Sequence, residues 1–276
     1  GMEYPQICFN GGRPEADGTY SSATKHGMIS VIIHEVGHNF FPMIINSDER
    51  QWTWMDEGLN TFVQYLAQQE WDIDYPSRRG PAYKIVDYMK GVKTRITPIM
   101  TNSESIIQFG NNAYGKPATA LNILRETVMG RELFDFAFKE YCERWAFKHP
   151  TPADLFRTME DASAVDLDWY WRGWFFTTDH VDVSLNGVKE FDVKLPSPDV
   201  ISKTKEAKKE AYKRHIGYQR NKDVHTVVKS DSTMKDFYNS YDPDKPTKQQ
   251  EEVYAKTEES LTPKQKEILN SGKFAY

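Results

Sequence analysis

The chain has 276 residues, 39% of them hydrophobic and 27% charged, with a formal net charge of −5. Such a composition fits a globular protein with one substantial core or two smaller ones, and the mild charge argues against nucleic acid or an anionic membrane as partner. No apolar run reaches the roughly 20 residues of a membrane span, and Cys8 and Cys142 are too few and too distant for a disulfide framework, so they read as buried thiols.

Tyr4 to Phe9 reads as a strand turned by Asn10-Gly11-Gly12, and a Gly- and Ser-bearing loop leads to a helix over about His26 to Phe40, ended by Pro42. Ile29, Val31, Ile32, Ile33 and Val36 make that helix apolar almost all round, which predicts burial. Further helices are expected over Met55 to Glu70, Ala82 to Met89 and Tyr114 to Met129, the last closed by Gly130 as C-cap. Leu133 to Trp145 continues at helical spacing. Thr151-Pro152 opens another helix with a Thr cap and Pro in first position, and Asp166 or Asp168 caps a Trp-rich one. All seven Trp precede residue 180, and residues 1–180 carry 17 basic and 24 acidic side chains. Residues 181–276 carry 18 and 16; they suggest a hairpin about Asn186-Gly187, an exposed helix over Lys203 to Arg214, a loop over 231–248 and a short helix from Thr262-Pro263. The expectation is a mainly α (α+β) domain over 1–180 with a short N-terminal β element, followed by a charged C-terminal extension or linker over 181–276.

The most informative stretch is His34-Glu35-Val36-Gly37-His38, followed after eighteen residues by Glu57. On a helix His34 and His38 sit one turn apart on one face, so both imidazoles can reach a single metal ion. Two His and a carboxylate leave one position of a tetrahedral Zn²⁺ open, which is the signature of a catalytic site. Glu35, rotated about 100° from the two His, lies where a bound water would sit and is the candidate general base.

His34-Glu35-x-x-His38 together with Glu57 inside Trp54-Met55-Asp56-Glu57-Gly58 closely resembles the gluzincin aminopeptidases, the zinc peptidases typified by aminopeptidase N and the leukotriene-hydrolase aminopeptidase. Their usual context is Trp-x-Asn-Glu-Gly, so Asp56 stands here for Asn, a near-isosteric change. Gly1-Met2-Glu3-Tyr4 is similar to what remains of the family's Gly-x-Met-Glu-Asn exopeptidase motif without its leading Gly, with Tyr4 in the place of Asn, and Tyr114-Gly115-Lys116 to its Tyr-x-Lys segment. Over roughly residues 1–178 the resemblance implies a thermolysin-like catalytic domain with one Zn²⁺ per chain and peptide substrates. It further implies that Met2 lines the first specificity pocket, Glu3 holds the substrate's α-amino group, and the Tyr114 hydroxyl stabilises the tetrahedral intermediate. It implies as well an upstream β-domain of the same protein as partner, which contributes a polar residue to the grip on the amino terminus. Thermolysin-type enzymes carry an Asp one turn after the third ligand; Thr61 stands there, so the groups that orient the imidazoles are expected elsewhere.

The leading expectation is therefore zinc-dependent removal of N-terminal residues from peptides. A zinc endopeptidase or other zinc hydrolase is the alternative among enzymes, and a zinc-bearing scaffold that binds peptides without turnover is the alternative outside them. The intact Glu35 speaks against the scaffold, because a structural zinc site needs no base.

Overall fold

The computed structural model describes residues 1–180, 197–234 and 248–271, so the hairpin about Asn186-Gly187 and most of the loop over 231–248 lie outside the described residues. The chain opens on a hairpin and not on a single strand. β1 (Met2–Tyr4) pairs antiparallel with β2 (Ile7–Phe9), Glu3 opposite Cys8. Pro5 has no N–H for a ladder and Gln6 takes a left-handed φ of 66°, so the turn falls at Pro5-Gln6 inside the apolar run, ahead of Asn10-Gly11-Gly12.

α1 (Ser22–Gly37) begins a turn earlier than His26, because the Ser21 hydroxyl accepts from the Thr24 N–H at 3.1 Å. It is not buried all round. Met28, Ile32 and Val36, four residues apart, form an exposed stripe, and Glu35 is its fully buried residue. Cys8 and Cys142 are both free and only partly buried.

Three wide turns, with hydrogen bonds running i→i+5, follow or precede the regular helices near the front of the fold. Asn39–Ile44, interrupted at Phe41 and containing a cis Phe41–Pro42 bond, follows α1 and His38. Trp54–Gly58 runs into α2 (Leu59–Trp71), and Gly110–Gly115 runs into α4 (Lys116–Ile123), with the short α3 (Val86–Met89) between. The helix expected to end at Met129 does stop there, but Gly130, at φ 82°, occupies the N-cap of α5 (Arg131–Trp145). α6 (Pro152–Ser163) starts as read: the Asp154 carboxylate accepts from the Thr151 N–H at 2.8 Å and its hydroxyl at 2.7 Å. Before α7 (Asp168–Trp171) the cap position is Leu167, with Asp166 Oδ1 accepting from the Asp168 N–H one residue on.

The core is aromatic. Trp54 stacks on Phe156 with ring centroids 6.0 Å apart, and Phe156 stacks on Trp171 at 4.6 Å, which joins the turn before α2 to α6 and α7. α5 packs along α6, and α1 along α2. The remaining helices are α8 (Pro198–Tyr212), α9 (Ile216–Asn221), α10 (Val227–Ser230), α11 (Lys248–Ser260) and α12 (Pro263–Ser271). Residues 216–234 belong to the same compact unit as 1–180, with α10 against α2. Within that unit the buried Glu126 carboxylate gathers Arg131 at 2.8 Å, Arg220 of α9 at 2.7 Å and Arg125 at 3.2 Å. A second unit contains α8 and α11, which pack on each other. Among the described residues no helix is long and apolar enough to cross a membrane.

Candidate active site

α1 delivers His34 and His38 one turn apart, with ring centroids 4.6 Å apart. The close approach of α2 depends on Gly37, where a Cβ would run into the Asn60 side chain; Asn60 Nδ2 instead donates to the His34 carbonyl at 2.8 Å. Glu57 comes from the wide turn before α2. Its Oε2 lies 3.0 Å from His34 Nε2 and 3.4 Å from His38 Nε2, and the two Nε2 atoms are 3.1 Å apart. Three lone-pair donors thus converge on one point, an arrangement that needs a proton or a cation between them.

The opposite ring nitrogens are held from outside this cluster. His34 Nδ1 lies 3.0 Å from Gln64 Oε1, and the Gln64 amide is itself fixed because its Nε2 donates to the Ser30 carbonyl at 3.1 Å. His38 Nδ1 faces the Asp56 carboxylate at 2.8 Å and the Phe41 carbonyl at 2.7 Å. Acceptors at both Nδ1 atoms put the N–H there and turn the Nε2 lone pairs inward. Thr61 takes no part in this. Gln64 and Asp56 do, and sequence reading missed both. Gln64 lies seven residues after Glu57, two turns along one helix face, so its spacing carried a signal. Asp56 reads in the sequence as a near-isosteric replacement of Asn, which gives no sign of its contact with His38.

Burial works against charge on His38, but the hydrogen bonds and charges of Asp56 and Glu57 outweigh it and raise its pKa, so the cluster holds a proton at Nε2 wherever it does not hold a cation. Burial likewise opposes ionisation of Glu57, yet hydrogen bonds with His34, His38 and Tyr114 hold it at about 2, a carboxylate at any working pH. The Tyr114 hydroxyl donates to Glu57 Oε1 at 2.6 Å. Burial, then the neighbouring Glu57 charge, push Tyr114 well above the ordinary phenol range, so it remains a donor. Tyr114 reaches this point because Gly58 lets the Trp54–Gly58 and Gly110–Gly115 turns touch; a Cβ there would lie 2.9 Å from the Ala113 carbonyl oxygen.

Glu35 is buried beside this cluster, with Oε2 lacking any hydrogen-bond partner and Oε1 3.6 Å from the Gly1 amino group. Glu3 of β1 projects toward the same place, its Oε2 3.9 Å from His38 Nε2, and the more exposed Met2 lies next to it. All seven residues singled out in the sequence therefore lie in or against one region. Six of them, Met2, Glu3, His34, Glu35, Glu57 and Tyr114, line a cleft of about 360 Å³, and His38 is buried behind it. Arg79 also lines the cleft, its guanidinium 4.6 Å above the Tyr114 ring, and nothing in its sequence context announced it.

The description of the peptidase family M1 domain matches residues 14–174. Among curated proteins the chain is similar to glutamyl aminopeptidase of Homo sapiens, 23% identical over 180 residues that cover 63% of this chain and 19% of the relative. It is similar to probable aminopeptidase 1 of Sulfurisphaera tokodaii, 24% identical over 189 residues (65% of this chain, 24% of the relative). Aminopeptidase M1-D of Oryza sativa subsp. japonica is 25% identical over 149 residues, 52% of this chain and 17% of the relative. The chain thus spans less than a quarter of the length of each of these relatives. With more than half of its residues matched to the domain that carries the His34, His38 and Glu57 cluster, the chain belongs to peptidase family M1.

Proposed function

We propose that residues 1–180 form a zinc-dependent catalytic domain that hydrolyses peptide bonds and removes residues from the amino terminus of peptides. The observation that carries this reading is the convergence of His34 Nε2, His38 Nε2 and Glu57 Oε2 next to the unpartnered Glu35 oxygen. The donor set fits Zn²⁺, and His34, His38 and Glu57 would hold it. When bound, the ion supplies Lewis acidity to the scissile carbonyl and to the attacking water. Glu35 takes a proton from that water and passes it to the leaving amine, so that the hydroxyl joins the carbonyl carbon, the proton joins the nitrogen and the C–N bond breaks. Tyr114 donates its hydroxyl hydrogen bond to the carbonyl oxygen as negative charge develops there. Glu3 pairs with the substrate's α-ammonium, and Met2 lies against its first side chain. Support for exopeptidase action comes from Glu3 lining the cleft that also holds Glu35 and Tyr114.

Metal analysis of the full chain tests the cluster: about one zinc per chain is expected, lost in His38→Ala. Hydrolysis of free and N-acetylated alanine peptides tests the direction of attack. Loss of the ammonium–carboxylate bond should lower kcat/KM for the acetylated peptide at least about tenfold. Equal rates would replace the exopeptidase reading with an endopeptidase one, and bound zinc without turnover on either would leave a peptide-binding scaffold.

A further inference from the structure

We infer that Arg79 forms a carboxylate-binding subsite on the His34 side of the cleft and selects peptides bearing a carboxylate just beyond the scissile bond. This rests on the peptidase reading above and names its substrate class.

Arg79 is partly buried, and among the described residues its guanidinium makes no ion pair; its close neighbour is the face of the Tyr114 ring. A guanidinium in this setting has lost part of its hydration and gained only a ring contact, which leaves its in-plane N–H donors for something that enters the cleft. The Glu57 charge favours the guanidinium through space but claims none of its N–H donors, since both Glu57 oxygens are engaged by His34, His38 and Tyr114.

Position decides what enters. Glu3 approaches His38, whereas Arg79 sits over Tyr114, which in turn stacks on His34 at 6.0 Å. Of the residues lining one cleft, Glu3 thus lies by His38, and Arg79 lies by the Tyr114 ring that stacks on His34. A peptide whose ammonium meets Glu3 directs its following residue at Arg79. The planar fork of Arg matches a carboxylate in two parallel hydrogen bonds. The segment that carries Arg79 is held in place. The Tyr75 hydroxyl donates to the His26 carbonyl at 2.6 Å, and Ser77 donates to Gln68 Oε1 at 2.6 Å. Gly80, at φ 114°, is packed so tightly on the Tyr65 ring that a Cβ would collide with it. Arg79 is thus presented by a fixed loop, and the neighbouring exposed Arg78 adds a second positive charge at the cleft.

The carboxylate has two possible sources, the C-terminus of a dipeptide or an acidic side chain. Three probes with free amino termini separate them: Ala-Ala, Ala-Ala-amide and Ala-Asp-amide. For the wild-type full chain, kcat/KM for Ala-Ala or Ala-Asp-amide should exceed that for Ala-Ala-amide at least about tenfold, chiefly through KM. Whichever leads identifies the source. In Arg79→Gln that advantage should disappear, and Arg79→Lys should restore part of it. If Arg79→Gln slows all three substrates equally, Arg79 acts only through Tyr114 and the subsite is overturned; an unchanged preference in Arg79→Gln, or no preference in the wild type, overturns it too. Calorimetric titration of Glu35→Gln with the same peptides separates this inference from the catalytic reading. Carboxylate-dependent binding there supports the subsite even if no peptide is turned over, and its absence rejects the subsite even if peptides are cleaved.

Discussion

Glu57 stands between two kinds of chemistry, with Oε2 turned to the imidazoles and Oε1 accepting from Tyr114. In the proposed mechanism the phenol is therefore parked on the carboxylate until a substrate oxygen competes for it. Glu35 is differently placed: one buried oxygen without a partner, at the edge of the cluster and not in it. Glu35→Gln keeps the volume and removes the proposed base, so turnover should vanish while zinc content stays at the parent level. Tyr114→Phe should lower kcat by roughly 10²-fold with little change in KM, because its bond to the substrate strengthens only as charge develops. Zinc analysis with single-turnover kinetics checks both; a Tyr114→Phe variant with parent kcat would take the phenol out of the mechanism.

Elements meet at the site because two glycines let them approach. At Gly58 an added Cβ would press on the Ala113 carbonyl and the Pro117 ring, forcing apart the turns that carry Glu57 and Tyr114. Gly58→Ala should cost about 1–3 kcal/mol of stability and lower kcat as the Tyr114–Glu57 bond lengthens. Thermal unfolding read beside activity measures this, and a variant unchanged in both would mean the turns need no such contact. Much of this level was legible. The four-residue spacing of His34 and His38 fixes their shared face locally, and Thr151-Pro152 announces α6 by capping chemistry alone. Other features depend on partners distant in sequence. Whether Met28, Ile32 and Val36 are covered is decided by what packs on α1, not by their periodicity. Arg79 reaches the cleft through a loop whose path is set by Tyr75, Ser77 and Gly80 meeting α1 and α2. The turn at Pro5-Gln6 was hidden inside an apolar run that alternates through it.

At the scale of the molecule, the unit that contains the site is closed by a charge cluster far from the cleft in sequence. Glu126 is 5% exposed and receives Arg125, Arg131 and, from α9, Arg220. Glu126→Ala would leave three partly buried guanidinium groups without their common partner. Since Arg220 stays 40% exposed, the loss is discounted from the fully buried case to about 2–3 kcal/mol. For a unit of this size that is a fall in Tm of roughly 5–10 °C. Calorimetry of the full chain gives the answer; an unchanged Tm would mean that the cluster adds nothing to stability. The sequence places residues 216–234 in a separate extension, and it is Arg220, reaching back to Glu126, that ties α9 to the same unit as 1–180.

The wide turns have a consequence for how such a chain can vary in length. Each i→i+5 loop accommodates one residue more than a regular helix of the same rise. Deleting Gly58, the last residue of the Trp54–Gly58 turn, would therefore heal the helix into an unbroken one, with Leu59 and Phe62 still seated in the core. The same deletion would swing everything before it by about 100° around the axis, and Glu57 would leave His34 and His38. In this fold the most regular helix and the assembled site are mutually exclusive, and the surplus residue is what separates them.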